Sequence, residues 1–269
     1  MSMLRHRMLS GGDLHPYYRA VLMSAVVAGY SLPSARVQAL QNKLVKEMDL
    51  YGLWGVLSGF WNFLHDASDN NFGRINWIQP AATHATLGSS DWASLAGVGN
   101  GGGVINTNFG LGNFIHSETF TTLSACIYNK ALITNTGEDL LDWLPTNSRR
   151  IRIFARATPR TDVYPLVSAA GPMVAQAGNT AANTIYGWTI LSTTAYSIIN
   201  GARTALVPVP GNAMVDDSTL FFAGVGGATP VANTAANRRI GAGWIGADLQ
   251  AGHVTAMDLA FRTNYALNL

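Results

Sequence analysis

Short apolar runs that alternate with polar residues recur along the chain after Leu53, and this period of two constrains the fold more than any other feature. Phe120–Tyr128 alternates residue by residue, and so do the segments around Ile151 and Trp188. Asn200–Gly201 separates two further runs and is typical of the type I′ turn of a two-residue β-hairpin. Turn-forming residues rather than helical segments separate these runs. The sequence therefore predicts a mainly β fold, an antiparallel sandwich or barrel.

Three segments follow a helical pattern instead. Pro33–Met48 carries apolar residues at helical spacing, Ala251–Ala266 does the same, and a shorter helix is expected near Tyr18–Val27. These patterns divide the chain into an N-terminal arm (1–30), an amphipathic helix (31–52) and a β-sandwich with a C-terminal helix (53–269).

Composition excludes several classes of function. A net charge of +2 gives no reason to expect nucleic acid as a partner. Cys126 is the single cysteine, so the chain has neither an internal disulfide nor a cysteine-based zinc motif, and we assign no metal and no cofactor. The apolar run Ala20–Tyr30 is shorter than the roughly 18 residues that a membrane span needs.

The surface is sparsely charged. Charged residues make up 12% of the chain, against roughly 25% in an average globular domain. Either Asn, Thr, Ser and Gly keep this surface soluble, or part of it faces other copies of the chain in a homo-oligomer, as we expect. We expect a trimer, because a closed ring buries such a surface without open-ended growth.

The carboxylates argue against an enzyme. A glycan hydrolase with two packed sheets needs two carboxyl groups on one strand face. No Glu-x-Asp-x-Glu pattern exists here: Glu118 stands alone, and Glu138, Asp139 and Asp142 lie in a leucine-rich stretch that we expect to be a helical turn or loop. We assign no catalytic residue.

Two tryptophans are candidates for stacking on a sugar. Trp92 and Trp143 lie in loop-like contexts, and polar loops around Asp66 and Asn108 could complete a carbohydrate site. Ordinary packing is the competing interpretation for both rings. The other tryptophans lie in apolar strand patterns and are predicted to be core: Trp54, Trp61, Trp77, Trp188 and Trp244.

A basic stripe lies on one face of a predicted strand. Such a face could bind an anion or a neighbouring subunit's carboxylates, or it could be an outer face paired with Asp139, Asp142 or Asp162. The stripe consists of Arg150, Arg152, Phe154 and Arg156.

Several segments, read in order, resemble the concanavalin A-like (laminin-G-like) jelly-roll domains of bacteriophage virion proteins. Together they cover most of residues 34–266. They are the helix Val37–Met48, Gly52-Leu-Trp54, Arg74-Ile-Asn-Trp77 with Pro80, Gly99-Asn100-Gly101, Val104-Ile-Asn-Thr-Asn-Phe109, the hairpin at Asn200–Gly201 and Arg239-Ile-Gly-Ala-Gly-Trp-Ile-Gly246.

The resemblance implies a structural protein of the virion surface, a spike, fibre or capsid decoration, with a role in host attachment. Residues 1–30 would then attach the body to other virion proteins, and a host-surface glycan would be a partner. The chain departs from the enzymatic relatives of that fold because it lacks their carboxylate motif. A carbohydrate-binding, lectin-like module is the alternative, and a glycan hydrolase ranks third.

Overall fold

The structure is a computed structural model that describes residues 13–87, 92–99, 104–116, 118, 122–130, 138–146, 149–156, 160–164, 175–177, 182–191, 194–208, 220–222, 224–225, 231–232 and 239–266. Within these ranges the protein is mainly β, with three α-helices. Helix α1 spans Pro16–Val27, α2 spans Ala35–Leu50 and α3 spans Ala251–Phe261.

Local sequence determines where the helices begin and end. Pro16 is the first residue of α1, where its missing N–H costs no hydrogen bond. After α1, Gly29 adopts a φ of +74°, and the amide of Tyr30 donates to the carbonyl of Ala25, which closes the helix in a Schellman motif. The Ser34 hydroxyl caps α2 by accepting from the amide of Val37. A π-helical turn, Arg262–Ala266, continues α3.

Seventeen strands are described, and all of their pairings are antiparallel. In chain order they are β1 Leu57–Asn62, β2 Thr86–Leu87, β3 Trp92–Ala93, β4 Gly97–Gly99, β5 Ile105–Asn106, β6 Leu123–Asn129, β7 Glu138–Thr146, β8 Arg149–Arg156, β9 Arg160–Tyr164, β10 Ala175–Ala177, β11 Thr184–Leu191, β12 Thr194–Ile199, β13 Ala202–Pro208, β14 Phe221–Phe222, β15 Gly224–Val225, β16 Val231–Ala232 and β17 Arg239–Ala247.

These strands form two large sheets and a small ribbon. The first sheet has the order β13-β12-β11-β6-β17-β4-β3, with β1 also paired to β17. The second sheet has the order β10-β9-β8-β7-β14-β5-β2, and β15 pairs with β16.

The first sheet is buried on both of its faces. On one face, Trp61 and Trp188 pack in a cluster with residues of the second sheet such as Phe222. On the other face, Phe60 and Trp244 pack on the helices. All seven residues of β6 are buried as a result. The molecule is therefore layered as helices, first sheet and second sheet, consistent with a β-sandwich covered by helices on one side.

Buried polar side chains connect the helical layer to the first sheet. The hydroxyl of Tyr18 in α1 donates to Oε1 of Gln41 in α2 over 2.7 Å, and Nε2 of Gln41 donates to the carbonyl of Leu64 over 3.0 Å. Asn62 of β1 donates to the hydroxyl of Tyr265 over 2.6 Å. Helix α2 thus packs on the β body of its own chain.

The three predicted helices and the Asn200–Gly201 hairpin are confirmed, and φ is positive at both turn residues. All five tryptophans predicted to be core are buried. None of the helices in the described ranges combines the length and hydrophobicity that crossing a membrane requires.

The prediction of a helical turn or loop at Glu138, Asp139 and Asp142 is wrong, because these residues belong to β7. Strand β7 lies between β8 and β14, so hydrogen bonding from both sides holds it extended. Its Leu141 is fully buried between the sheets.

The loop contexts predicted for Trp92 and Trp143 are also wrong. Trp143 lies on β7, and Trp92 lies on β3, which forms a hairpin with β4 through the residue pairs Trp92–Val98 and Ala93–Gly97. Strand β3 has only two residues, too few to show a period of two in the sequence.

Candidate functional site

A cleft of about 810 Å³ lies between helix α1 and the segment 80–86. Its lining is apolar on the helix side and contains several polar side chains on the other. The lining residues are Ala20, Met23, Ser24, Val27, Ala28, Arg74, Pro80, Ala81, Ala82, Thr83, His84, Thr86 and Asn108.

Helix α1 supplies the apolar wall because it is apolar on two faces. Tyr18 and Leu22 point into the helical layer and are fully buried. Ala20, Met23 and Val27 recur at helical spacing on the cleft side, where Val27 is 83% exposed and Met23 is 44% exposed. Exposed apolar side chains that line a concave surface are typical of a binding site.

Ser24, Tyr30 and His84 form a hydrogen-bonded group at the cleft. Nε2 of His84 lies 3.0 Å from the Ser24 hydroxyl, and Nδ1 of His84 lies 2.9 Å from the Tyr30 hydroxyl. The Schellman motif at Gly29 turns the chain after α1 and leads directly to Tyr30. Ser24 of the helix and Tyr30 after its C-terminal turn therefore hold the ring of His84, which is distant from both in sequence.

The hydrogen bonds of this group indicate which nitrogen of His84 carries the proton. The carbonyl of Pro80 is an acceptor only; it accepts from the Ser24 hydroxyl over 2.5 Å and lies 3.3 Å from Nε2 of His84. Nε2 therefore carries the proton and Nδ1 accepts from Tyr30. With this tautomer, Nε2 donates to Ser24 and does not accept the proton of its hydroxyl.

Arg74 is held in one orientation by three contacts. Its Nε donates to the carbonyl of Ala85 over 2.7 Å, and one terminal nitrogen donates to Oδ1 of Asn71 over 3.3 Å. The guanidinium carbon lies 5.5 Å from the centre of the Tyr30 ring, within cation–π range. The cleft thus contains a cation whose position is set before any ligand arrives.

Asn108 completes the polar side of the cleft. Its φ of +55° is a left-handed conformation that Asn tolerates better than most residues. Its Nδ2 donates to the carbonyl of His84 over 2.8 Å and to the hydroxyl of Thr86 over 3.3 Å. Asn108 was predicted to bind carbohydrate, and it lines this cleft, whereas the described side chains of Asp66 and Trp92 do not.

Asp66 and Trp92 lie together at a different place, on either side of His65. The ring of His65 stacks on Trp92 with centroids 4.8 Å apart, and Nε1 of Trp92 donates to the carbonyl of Phe63 over 3.2 Å. Oδ1 of Asp66 accepts from the amide of Ser34 over 2.7 Å. These contacts give both residues structural roles.

His65 itself is fully buried. Burial lowers the pKa of His65 to about 4, although hydrogen bonding to the Asn70 side chain and the charge of nearby Asp66 act in the opposite direction. His65 is therefore neutral at physiological pH. Within the described residues, no group of three or more His, Cys, Asp or Glu side chains is arranged to hold a metal ion.

The basic stripe lies on β8, as predicted, within the second sheet. In the backbone register Arg152 lies opposite Asp142 of β7, and Phe154 lies opposite Asp139 of β7 and Asp162 of β9. The side chains of Arg150, Arg152, Phe154, Arg156 and Trp143 lie outside the described part of the chain. Their predicted roles stay predictions.

Sequence reasoning missed Ser24, Tyr30, Arg74 and His84. Gly29 was the available indication, because a glycine just after an apolar helix predicts a Schellman turn and an abrupt change of direction. Nothing in the sequence connects that turn with His84, which lies 54 residues beyond Tyr30.

No protein-family model and no curated protein matches the chain. Solved structures do match. A Trypanosoma rangeli sialidase mutant with trans-sialidase activity is 11% identical, with a TM-score of 0.50, and the match covers 85% of this chain and 39% of the sialidase. The T. rangeli sialidase in complex with 2,3-difluorosialic acid is 12% identical, with a TM-score of 0.49 and coverage of 82% and 39%.

Domain 4 of a family GH43 extracellular arabinanase from Geobacillus stearothermophilus, in complex with arabinotriose, is 13% identical, with a TM-score of 0.48. That match covers 76% of this chain and 98% of the domain. The chain spans about two fifths of the length of the sialidases, and at these identities the likeness concerns the fold.

These comparisons correct the functional prediction. The sialidase mutant with a TM-score of 0.50 has trans-sialidase activity and is not a virion component. The prediction of a structural bacteriophage protein, a spike, fibre or capsid decoration with a role in host attachment, is therefore wrong. The predicted homo-oligomer, the virion-surface location and the role of residues 1–30 as an attachment arm stay predictions, and residues 1–12 lie outside the described residues.

Proposed function

We propose that this chain is a glycan-binding, lectin-like β-sandwich module that holds a sugar in the cleft between α1 and the segment 80–86. The observation that carries the proposal is the lining of the cleft. Met23 and Val27 offer apolar contact to the C–H face of a sugar ring, while Ser24, Thr86 and Asn108 offer polar groups to its hydroxyls.

The fold supports the same proposal. The sialidase with a TM-score of 0.50 has trans-sialidase activity, so a protein with a similar fold acts on sugars. We also propose that the sandwich is a concanavalin A-like jelly roll. In support, β6 lies between β11 and β17, and β17 also pairs with β1 and β4, so strands distant in sequence become neighbours, as in Greek-key arrangements.

We propose binding without hydrolysis, because most glycoside hydrolase families use a pair of carboxyl groups about 5–9.5 Å apart, sialidases with their tyrosine nucleophile being an exception. Among the described residues that line the cleft, none is Asp or Glu. Two of the glutamates have partners elsewhere: Glu118 accepts from the Ser58 hydroxyl and the His116 amide, and Glu47 accepts from Asn264.

A glycan array followed by calorimetric titration of the best binder tests the proposal. Val27→Glu places a charge on the apolar wall, and Leu50→Glu is its matched control. Both residues end a helix, and they are 83% and 77% exposed, but Leu50 lies outside the cleft.

We expect Val27→Glu to weaken binding about tenfold or more, because it charges a surface that the ligand must desolvate. Leu50→Glu should bind like the unmodified protein, and both variants should unfold at nearly the same temperature. An array with no bound glycan would overturn the proposal. Equal binding by both variants would show that the sugar does not bind in this cleft. Release of reducing sugar from a bound glycan would show that the protein hydrolyses it.

A further inference from the structure

The ionisable side chains that line the cleft are basic. Among its described lining residues, Arg74 is the one that carries a formal charge in the arrangement described above, and that charge is positive. Because no carboxylate is among the described lining residues, the field of the cleft favours an anionic ligand over a neutral one.

Arg74 is prepared to bind such an anion. Two of its five N–H donors are used, one on the carbonyl of Ala85 and one on Asn71, which leaves donors for a ligand. Among the described residues no carboxylate forms an ion pair with Arg74. The fork geometry of a fixed guanidinium matches carboxylate and sulfate oxygens in pairs.

The rest of the cleft determines how the anionic group would be oriented. Arg74 and His84 line the same cleft as the apolar residues Met23 and Val27 of α1. A ligand with a charged group at one end and a C–H face at the other would satisfy both sides. A neutral sugar would satisfy the apolar wall but would leave Arg74 without a counter-charge.

We infer that the cleft selects glycans that carry an anionic group, a carboxylate or a sulfate, and that Arg74 binds that group. This inference rests on the proposed function and names the class of its ligand. Carboxylate and sulfate share the chemistry that Arg74 recognises, so the experiment includes both.

The test compares a neutral hexose oligosaccharide with its uronic acid counterpart and its 6-sulfated counterpart by calorimetric titration. The variants are Arg74→Gln, which removes the charge, and Arg74→Lys, which keeps the charge without the fork. Arg203→Gln is the matched control, because Arg203 also stacks on a tyrosine ring, at 4.2 Å from Tyr196, and also donates to a backbone carbonyl, that of Leu249.

The unmodified protein should bind at least one of the two acidic oligosaccharides roughly tenfold to a hundredfold more tightly than the neutral one, the range expected for a hydrogen-bonded charge. Arg74→Gln should abolish this preference, Arg74→Lys should keep part of it, and Arg203→Gln should keep all of it. Thermal unfolding of each variant establishes that it is folded. If Arg74→Gln does not fold, the Arg74→Lys titration decides alone, since an unreduced preference there would contradict paired recognition by the guanidinium.

The outcomes separate this inference from the proposed function. Equal binding of neutral and acidic oligosaccharides would overturn the selection of anions and leave glycan binding intact. If Arg74→Gln still prefers the acidic oligosaccharides, a residue other than Arg74 binds the anionic group. Binding of no oligosaccharide, charged or neutral, would overturn the proposed function itself.

Discussion

Gly243 on β17 lies against Phe222 of the second sheet, and Gly243→Ala tests the packing of the two sheets. A Cβ atom at this position would lie 2.2 Å from Cε1 and 2.4 Å from Cζ of Phe222 in the second sheet. Ordinary van der Waals contact begins near 3.4 Å, so the added methyl group would overlap the ring by about 1 Å.

The Phe222 ring has little space in which to move. It is fully buried, and its edge-to-face partners Trp61 and Phe63 lie 5.7 Å and 5.9 Å away between ring centroids. Either the ring leaves its rotamer or the sheets separate locally. Overpacking of this kind costs about 1–3 kcal/mol, and we expect the upper end of that range. A loss of about 3 kcal/mol corresponds to a fall in Tm of roughly 6–12 °C for a domain of this size.

Urea and thermal unfolding, followed by tryptophan fluorescence and circular dichroism, measure this loss. Gly55→Ala is the matched control, because nothing lies within 4 Å of its added Cβ. In a double-mutant cycle, Phe222→Leu should recover part of the stability lost in Gly243→Ala, with a coupling of about 0.5 kcal/mol or more. If Gly243→Ala is as stable as Gly55→Ala, the face-to-face packing of the sheets is not as described.

Three further predictions concern buried polar groups. Tyr265→Phe leaves the buried amide of Asn62 without its partner and should lower the free energy of unfolding by about 1–3 kcal/mol in urea titrations; an unchanged midpoint would refute it. Burial lowers the pKa of His65 to about 4, so between pH 4 and the unfolded value of about 6.5 the unfolded chain binds more protons. The free energy of unfolding should therefore fall as the pH drops through this window, by up to about 1.4 kcal/mol per pH unit. His65→Phe keeps an aromatic ring against Trp92 and should make this pH dependence, measured from urea midpoints, flatter. Burial also raises the pKa of the Cys126 thiol, so a thiol reagent should label it at the rate of unfolding, and rapid labelling of the native protein would contradict its burial.

The fold was predictable where a pattern repeats often enough to be recognised. Helix α2 presents Val37, Leu44 and Val45 to the core at helical spacing, and the sequence shows that spacing directly. Strand β1 is buried at all six residues, because the first sheet is covered by helices on one side and by the second sheet on the other.

Patterns that are short or that depend on neighbouring strands were not predictable. Strand β3 has two residues and therefore shows no period in the sequence. Glu138–Thr146 contains acidic residues that are typical of a loop, but pairing with strands on both sides holds it extended. Local composition predicts structure poorly when tertiary contacts decide it.

The candidate site was the least predictable part of the molecule. Ser24 and His84 are 60 residues apart, and no spacing rule links them. Their contact depends on how α1 lies on the helical layer, which is determined by packing around Tyr18 and Leu22. Asn108 was predicted as a binding residue, and the structure places it in the cleft, beside side chains that the sequence did not associate with it.

The crystal structure of the protein with its best-binding acidic oligosaccharide tests the central claim most directly. We predict sugar density between α1 and the segment 80–86, with the anionic group about 2.7–3 Å from the Arg74 guanidinium. Sugar bound beside Trp92 and Asp66, or along the arginines of β8, with this cleft left empty would contradict it.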